Sequence, residues 1–273
     1  MPKTRSNFTS IDLCLGIDPH PNLLADWGLS DSSTGVRDFA KITINSANEA
    51  SEKYKNKEIC LKPQLALFER QGSKGLAVLE ELKSWTDLPI IMDAKRGDIG
   101  STMKGYADAF VSPTAPFVCD ALTVSPYLGV ESTSELIKVA SDNGKTIFLL
   151  CLTSNPEAYN QQHAILSDGN SLAKTVFNFA ENQNVQFEFP TVGLVVGATI
   201  GDGAKKAGVN LSDFSGPLLS PGIGAQGAGK KELEDVFGQA IKNVIPSLSR
   251  GILKSGPKID DLVNCIGDNL SYK

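Results

Sequence analysis

The feature that most constrains this fold is a series of short apolar runs, rich in β-branched residues, that recur along the whole chain. Runs of this kind are typical of buried β-strands. The spacing between the starts of successive runs is mostly the length of one β-strand, a helix and their connecting loops. Two of the spacings are longer. There are eight such runs, at residues 11–17, 59–62, 88–93, 121–125, 146–153, 191–197, 217–220 and 243–247.

Segments with helical periodicity lie between the runs. The first two are marked by apolar positions at Phe39, Ile42, Ile44, Ala47 and Ala50, and at Leu65, Phe68, Leu76, Leu79 and Leu82. Eight β/α units make an α/β TIM (β/α)8 barrel of roughly 250 residues, and the chain has 273. A doubly wound open sheet also alternates strands with helices, but the count of eight favours the barrel. Because no interdomain linker is evident, we expect residues 1–273 to form a single domain.

Composition and charge exclude several classes of protein. Apolar content of 41% with 21% charged residues is ordinary for a globular chain. The net charge of −5 argues against nonspecific nucleic-acid binding, although a few local cations would suffice for one phosphate. No run reaches the ~20 apolar residues that span a membrane, and the polar start of the chain lacks a signal peptide's apolar stretch.

The cysteines and histidines narrow the chemistry further. Four of the five cysteines lie in or next to apolar runs, where a cysteine is usually a small buried hydrophobe. This usage predicts a reduced, cytoplasmic protein. Two histidines leave little material for histidine-based metal sites or catalytic triads.

Polar residues collect where the predicted strands end, and barrel enzymes place their chemistry at the C-terminal ends of the strands. In strand order these residues are Asp18, Lys62, Asp93, Lys95, Ser154 and Arg250. Two longer segments, residues 19–37 and 157–169, are predicted to be loops at the same rim.

The third strand runs into the string Asp93-Ala94-Lys95-Arg96-Gly97-Asp98. Asp93 and Lys95 are two positions apart, so an extended chain points both side chains the same way. Lys62, on the adjacent strand, reaches the same space, and Asp98 follows Gly97, where the chain is expected to turn. Two lysines and two aspartates in alternation favour one another's ionised forms. Each alone is more often a structural ion pair, but four at one rim favour a catalytic array.

A glycine-rich loop, Gly222-Ile223-Gly224-Ala225-Gln226-Gly227, follows the seventh strand. Its spacing matches a dinucleotide fingerprint, but the acidic residue required about 20 positions later is missing. The loops after strands seven and eight of a barrel commonly bind phosphate. We therefore expect the glycines, Gly224 and Gly227 included, to bring backbone N–H groups to an anion that Arg250 also holds. Residues 228–231 are expected to act as a lid.

These residues together resemble a known family. Asp-x-Lys-x-x-Asp at the end of strand three, preceded by a strand-two lysine, resembles the orotidine 5′-phosphate decarboxylases, and residues 93–102 are similar to the signature of one branch of that family. Other matching segments lie in order along the chain, at residues 15–19, 61–64, 153–156, 196–199 and 220–227.

The resemblance implies a homodimeric barrel that converts orotidine 5′-monophosphate to UMP and CO2 without a metal or organic cofactor. It implies a catalytic tetrad composed of Lys62, Asp93, Lys95 and Asp98. It also implies that Asp98 and Thr102 enter the site from the partner subunit.

The resemblance assigns the remaining contacts to four residues. Asp18 would bind the ribose hydroxyls and Ser154 the pyrimidine. Gln226 would bridge base and phosphate, and Arg250 would hold the phosphate.

The chemistry accounts for a lysine at the centre of the array. Loss of CO2 from C6 of the pyrimidine leaves an electron pair in an sp² orbital that the ring delocalises poorly. An ammonium beside C6 would stabilise that carbanion and protonate it, which gives this role to Lys95. Asp93 would lie close to the substrate carboxylate, and repulsion between the two would destabilise the ground state.

Two alternatives stay open at this point. Hexulose-6-phosphate synthases and ketogulonate-6-phosphate decarboxylases share Asp-x-Lys-x-x-Asp but use Mg²⁺ and sugar phosphates. The Arg96-Gly97 pair and the Gly-Ala-Gln-Gly loop favour the pyrimidine enzyme. A catalytically silent nucleotide-binding barrel would be expected to lose part of the tetrad, which is complete here. The sequence assigns no function to Arg96, Lys230 or Lys231.

Overall fold

Each of the eight predicted runs forms a parallel β-strand in the computed structural model, which describes residues 8–187, 189–224 and 229–272. The strands are β1 Leu13–Ile17, β2 Ile59–Pro63, β3 Ile91–Arg96, β4 Ala121–Val124, β5 Thr146–Leu152, β6 Val192–Val196, β7 Leu218–Pro221 and β8 Val244–Leu248. The largest difference from prediction is at β3, which begins three residues later than predicted and extends three residues further. Lys95 therefore lies inside the strand.

The strands close into a ring. They are hydrogen-bonded in the order β2-β1-β8-β7-β6-β5-β4-β3. Two parallel bridges, Leu61 to Ile90 and Gln64 to Asp93, join β2 to β3 and complete the circle. The predicted TIM barrel is confirmed, and the open-sheet alternative is wrong.

Helices surround the barrel. Within the described residues they are α1 Pro21–Asp26, α2 Ser33–Lys53, α3 Leu65–Glu69, α4 Gly72–Glu81, α5 Gly100–Phe110, α6 Ser134–Asp142, α7 Ala158–Gln162, α8 Leu172–Gln186, α9 Gly203–Lys206, α10 Lys230–Phe237, α11 Arg250–Leu253 and α12 Ile259–Asp268. None of them is long and apolar enough to cross a membrane.

Three helical predictions need correction. The second helical segment is two helices, α3 and α4, because Gly72, the first residue of α4, adopts a positive φ of 63°. The predicted rim loops contain α1 and α7, which have six and five residues, and the first of these loops also includes the start of α2 at Ser33. Helices this short complete less than two turns and leave no readable periodicity. The last two residues of the predicted lid, Lys230 and Lys231, form the first turn of α10.

The barrel interior contains an apolar layer that takes one residue from every strand. Phe8 and Ile11 join this layer from the segment before β1, and the rings of Phe8 and Phe148 meet edge to face at 5.7 Å. The layer consists of Cys14, Cys60, Ile91, Ala121, Phe148, Val195, Leu219 and Ile245. All five cysteines are free thiols, and four of them are buried as predicted.

The residues two positions further along the strands face the same way and lie above this apolar layer, because strand side chains alternate. They form the floor of a cavity: Lys62, Asp93, Thr123, Leu150, Pro221 and Ser247. The barrel's packing therefore dictates which side chains reach the site.

Candidate active site

A cavity of about 330 Å³ opens at the C-terminal ends of the strands. Its size lies at the lower end of the range for small-molecule sites. Six of the residues predicted from the sequence line it: Asp18, Lys62, Asp93, Lys95, Ser154 and Arg250.

Asp93 lies between the two lysines. Its Oδ2 accepts a hydrogen bond from Lys62 Nζ at 2.9 Å, and its Oδ1 accepts one from Lys95 Nζ at 2.5 Å. Lys62 and Asp93 are each only 7% exposed. The Lys95 side chain is 45% exposed, so its ammonium is the one a ligand in the cavity can reach.

This arrangement keeps the buried pair ionised. Burial alone would lower the pKa of Lys62, but the carboxylates of Asp93 and Asp18 outweigh that effect and raise the pKa well above its usual value. Burial alone would raise the pKa of Asp93, but Lys62 and Lys95 hold it well below its usual range. Lys62 and Asp93 therefore stay charged throughout the physiological pH range.

The chain at Lys95 departs from a regular strand. Its φ is +48°, in the left-handed region that non-glycine residues rarely adopt, and the pairing of β3 with β4 shifts register between Met92 and Arg96. Asp93 and Lys95 do share the cavity, as predicted, but a β-bulge rather than simple alternation brings their side chains together. Arg96 points away and forms an ion pair with Glu69.

Two residues that sequence reasoning missed complete the surroundings of Asp93. Thr123 Oγ1 donates to Asp93 Oδ1 at 2.9 Å, and Gln64 Nε2 donates to Oδ2 at 3.3 Å. Gln64 lies two positions after Lys62, and Thr123 lies two positions after the interior residue Ala121. Strand alternation could have identified both.

Buried oxygen atoms without partners mark another side of the cavity. Among the described residues, Asp18 Oδ1 and Ser249 Oγ are buried and have no hydrogen-bond partner, and both residues line the cavity. Buried polar atoms are normally paired, so these two oxygens are suited to a polar ligand. A Cβ built on Gly16 would lie 2.6 Å from Ser249 Cβ and 3.3 Å from Asp18 Oδ1. Only glycine leaves room for both side chains.

The predicted phosphate end is present in part. Arg250 is the first residue of α11, just past β8, and borders the cavity. Gly222 and Gly224 have positive φ values of 103° and 71°, and Gly224 is exposed and lines a neighbouring depression with Arg250. Gln226 and Gly227 lie outside the described residues.

The loop that carries Ser154 is anchored to α7. Gln162 Oε1 accepts a hydrogen bond from Thr153 N at 2.9 Å, and Gln162 Nε2 donates to Thr153 Oγ1, also at 2.9 Å. This two-point contact fixes the backbone beside Ser154.

Asp98 and Thr102 do not line this cavity. Asp98 Oδ1 accepts from Ile99 N at 2.8 Å, and within the described residues it forms no salt bridge with either lysine. Thr102 is exposed on α5. β3 ends just before Gly97, as predicted, but the φ of Gly97 is not positive, and a Cβ there would lie 2.4 Å from the carbonyl oxygen of Ser125. Close strand approach, not a turn, requires the glycine.

Large apolar side chains are exposed at the same end of the barrel. Ile99 is 61% exposed, Tyr127 73% and Leu128 53%. These residues follow β3 and β4, which are adjacent in the barrel. Exposed apolar patches commonly mark interaction surfaces.

The chain is similar to known proteins over nearly its whole length. Residues 12–262 match the family model described as "Orotidine 5'-phosphate decarboxylase / HUMPS family". An orotidine 5′-phosphate decarboxylase from Streptomyces coelicolor is 46% identical over 256 residues, which cover 92% of this chain and 87% of the relative. One from Corynebacterium glutamicum is 37% identical over 265 residues, which cover 94% and 91%.

Solved structures agree with the fold. A crystal structure from Streptomyces avermitilis, assigned to the same enzyme, superposes with a TM-score of 0.89 at 42% identity and covers 100% of this chain and 96% of that one. The orotidine monophosphate decarboxylase of Leishmania donovani gives 0.72 at 26% identity, covering 96% and 94%. With its barrel, its cavity and these likenesses, the chain belongs to the orotidine 5′-phosphate decarboxylase / HUMPS family.

Proposed function

We infer that this protein decarboxylates orotidine 5′-monophosphate to UMP and CO2, the final step of de novo pyrimidine synthesis. The matching family model is described as covering the HUMPS family as well, so the model alone does not identify the substrate. The observation that carries the inference is the identity of 37–46% to orotidine 5′-phosphate decarboxylases over more than nine-tenths of the chain.

We propose that Lys95 is the proton donor. Its ammonium stands 2.5 Å from Asp93 Oδ1 and is half exposed to the cavity. A carbanion forming at C6 of the substrate would be stabilised by this charge and then protonated by it. Lys62 and Asp93 hold the ammonium in place, and the buried charge of Asp93 faces the substrate carboxylate.

We propose that the ribose and phosphate occupy the opposite side of the cavity. The unpartnered Oδ1 of Asp18 supports a contact with a ribose hydroxyl, and Arg250 and the loop at Gly224 support a contact with the phosphate. Ser249, next to Arg250, offers a second unpartnered oxygen to the ligand. Ser154, Gln226 and Gly227 keep their predicted roles in holding the base and phosphate.

A homodimer is part of the proposal. Asp98 and Thr102 do not line the cavity of their own chain, and apolar Ile99, Tyr127 and Leu128 surround the same end of the barrel. Pairing of two copies through this surface would cover the apolar side chains and bring Asp98 and Thr102 to the neighbouring site.

We further propose that residues 1–273 form one domain. We also propose that the protein is cytoplasmic, since free thiols are typical of a reducing compartment.

The test is the loss of orotidine monophosphate absorbance with purified protein. We expect turnover that persists in EDTA, as no metal is proposed to take part. Turnover of a sugar phosphate that requires Mg²⁺ would instead favour a hexulose-6-phosphate synthase or a ketogulonate-6-phosphate decarboxylase. Binding of UMP without any turnover would favour a silent nucleotide-binding barrel.

Lys95→Ala tests the proposed proton donor. We expect this variant to lose decarboxylation while it still binds UMP, because the lysine acts mainly in the transition state. Lys57→Ala is a matched control, since Lys57 also pairs with an aspartate, Asp12 at 3.0 Å, and is 35% exposed outside the cavity. Near-normal turnover by Lys95→Ala would contradict the assignment.

A further inference from the structure

Thr123 lies on β4 opposite the part of β3 that carries the charged residues. Met92 pairs with Leu122 and Arg96 pairs with Val124. The three residues 93–95 therefore face Thr123 alone, and the regular ladder is interrupted there. It resumes where Ser125 N donates to the carbonyl oxygen of Arg96 at 2.8 Å.

The Thr123 hydroxyl forms hydrogen bonds to β3 where the backbone ladder is interrupted. Its Oγ1 accepts the backbone N–H of Lys95 at 3.0 Å and donates its proton to Asp93 Oδ1 at 2.9 Å. The direction of both bonds is fixed, because an N–H only donates and an ionised carboxylate only accepts. Thr123 is 1% exposed, so its hydroxyl is largely shielded from solvent although the residue lies on the cavity floor.

The residue that this hydroxyl holds has an unusual backbone. Among the described non-glycine residues, Lys95 is the one with a positive φ. Such a conformation persists only where the surrounding structure enforces it. The bond from Lys95 N to Thr123 is the contact that acts directly on this peptide.

We propose that Thr123 is a positioning residue for decarboxylation. It keeps Lys95 in the left-handed conformation and orients Asp93, so that the Lys95 ammonium stands where C6 of the substrate is bound. This inference rests on the proposed function. A displacement of about 1 Å at a reacting centre can lower the rate about 100-fold, so loss of the hydroxyl is expected to act on kcat more than on binding.

Three substitutions test the proposal. Thr123→Val keeps the shape but removes the hydroxyl, and Thr123→Ser keeps the hydroxyl. Thr43→Val is the matched control, because Thr43 is also 1% exposed and donates to the carbonyl oxygen of Phe39 at 2.9 Å, far from the cavity in α2. The measurements are kcat and KM for orotidine monophosphate, the Kd for UMP, and the hydrogen exchange of the Lys95 amide.

We expect Thr123→Val to lower kcat about 10- to 100-fold, with a Kd for UMP within about threefold of wild type because the lost contact serves the transition state. The Lys95 amide should exchange faster in this variant. Thr123→Ser should recover most of kcat, and Thr43→Val should keep wild-type kcat even where its Tm is lower.

A folded Thr123→Val variant with wild-type kcat, or a Thr123→Ser variant as impaired as Thr123→Val, would overturn the positioning role. If Thr123→Val does not fold, Thr123→Ala carries the same expectation with a smaller side chain. A wild-type protein that fails to decarboxylate orotidine monophosphate would instead overturn the proposed function itself.

Discussion

At the scale of single residues, Asp93 is the centre of the site. Its two carboxylate oxygens accept from Lys62, Lys95, Thr123 and Gln64. Breaking a buried ion pair by removing one partner costs about 3–5 kcal/mol, because the other charge is left without compensation. The buried Lys62 and Asp93 therefore depend on each other, and each keeps the other ionised.

Asp93→Asn is predicted to lower the free energy of unfolding by about 3 kcal/mol at pH 7, the lower end of that range because Lys62 retains Asp18 nearby. The difference should shrink on acidification. The pKa of Asp93 is depressed in the folded protein, so its contribution is fully present above the unfolded pKa of about 3.9 and is lost as the pH falls through the lower, folded value.

Urea unfolding of wild type and Asp93→Asn at pH 7, 5, 4 and 3 measures this difference. A difference in the free energy of unfolding that stays constant down to pH 3 would contradict the prediction.

The pKa of Lys62 is raised in the folded protein, so Lys62 affects stability at alkaline pH. Its contribution to the free energy of unfolding is fully present below the unfolded pKa of about 10.4 and is lost as the pH rises through the folded value.

At the scale of secondary structure elements, the bulged strand β3 determines where the charges go. Because of the bulge, Asp93 and Lys95 both line one cavity. Arg96 points away from the cavity and pairs with Glu69, and its Cζ lies 5.9 Å from the centroid of the Tyr106 ring. Beyond the bulge, the chain passes so close to β4 that only glycine fits at position 97.

Gly97→Ala is predicted to destabilise the protein by about 1–3 kcal/mol, as overpacking does, and to lower turnover because the strand that carries Lys95 must shift. The reason is the 2.4 Å approach of its Cβ to the carbonyl oxygen of Ser125. Gly105→Ala is the matched control, since a Cβ there meets nothing within 4 Å.

Gly105 lies inside α5, where alanine is favoured over glycine by about 0.5–1 kcal/mol. The control should therefore be as stable as wild type or more so. Urea denaturation and turnover of orotidine monophosphate compare the two variants. A Gly97→Ala protein with wild-type stability and turnover would rule out the steric explanation.

At the scale of the whole molecule, the barrel of one chain leaves the predicted tetrad incomplete. Lys62, Asp93 and Lys95 share the cavity, whereas Asp98 does not line it. The proposed homodimer would supply the missing carboxylate from the second copy. Two variants that are inactive for different reasons should then complement each other in a mixed dimer.

Mixing Lys95→Ala with Asp98→Asn is predicted to restore activity that neither variant has alone. In a mixed dimer, one site has both substitutions and the other has neither. Random exchange of equal amounts makes about half of the dimers mixed, so about a quarter of the sites are intact. Turnover measured after unfolding and refolding the two variants together tests this.

Refolding each variant alone provides the control. Absence of recovery in the mixture, with wild type recovering under the same conditions, would place Asp98 in the site of its own chain or outside any site.

The sequence by itself determined the barrel and much of the site, because both depend on local patterns. Apolar runs of strand length identify the strands whichever neighbours they pair with. Side chains alternate along a strand with a period of two, so Lys62 and Asp93 point to the same side as the residues of the interior layer. The short helices α1 and α7 escaped the same reasoning because so few turns leave no period to read.

Tertiary structure alone decided the features that depend on residues distant in the chain. Thr123 contacts Asp93 from 30 positions away, and the unpartnered oxygens of Asp18 and Ser249 are brought together by closure of β8 against β1. The left-handed backbone of Lys95 follows from the register of β3 against β4. Periodicity describes a single strand, whereas a bulge belongs to the pairing of two strands and exists only once the barrel has closed.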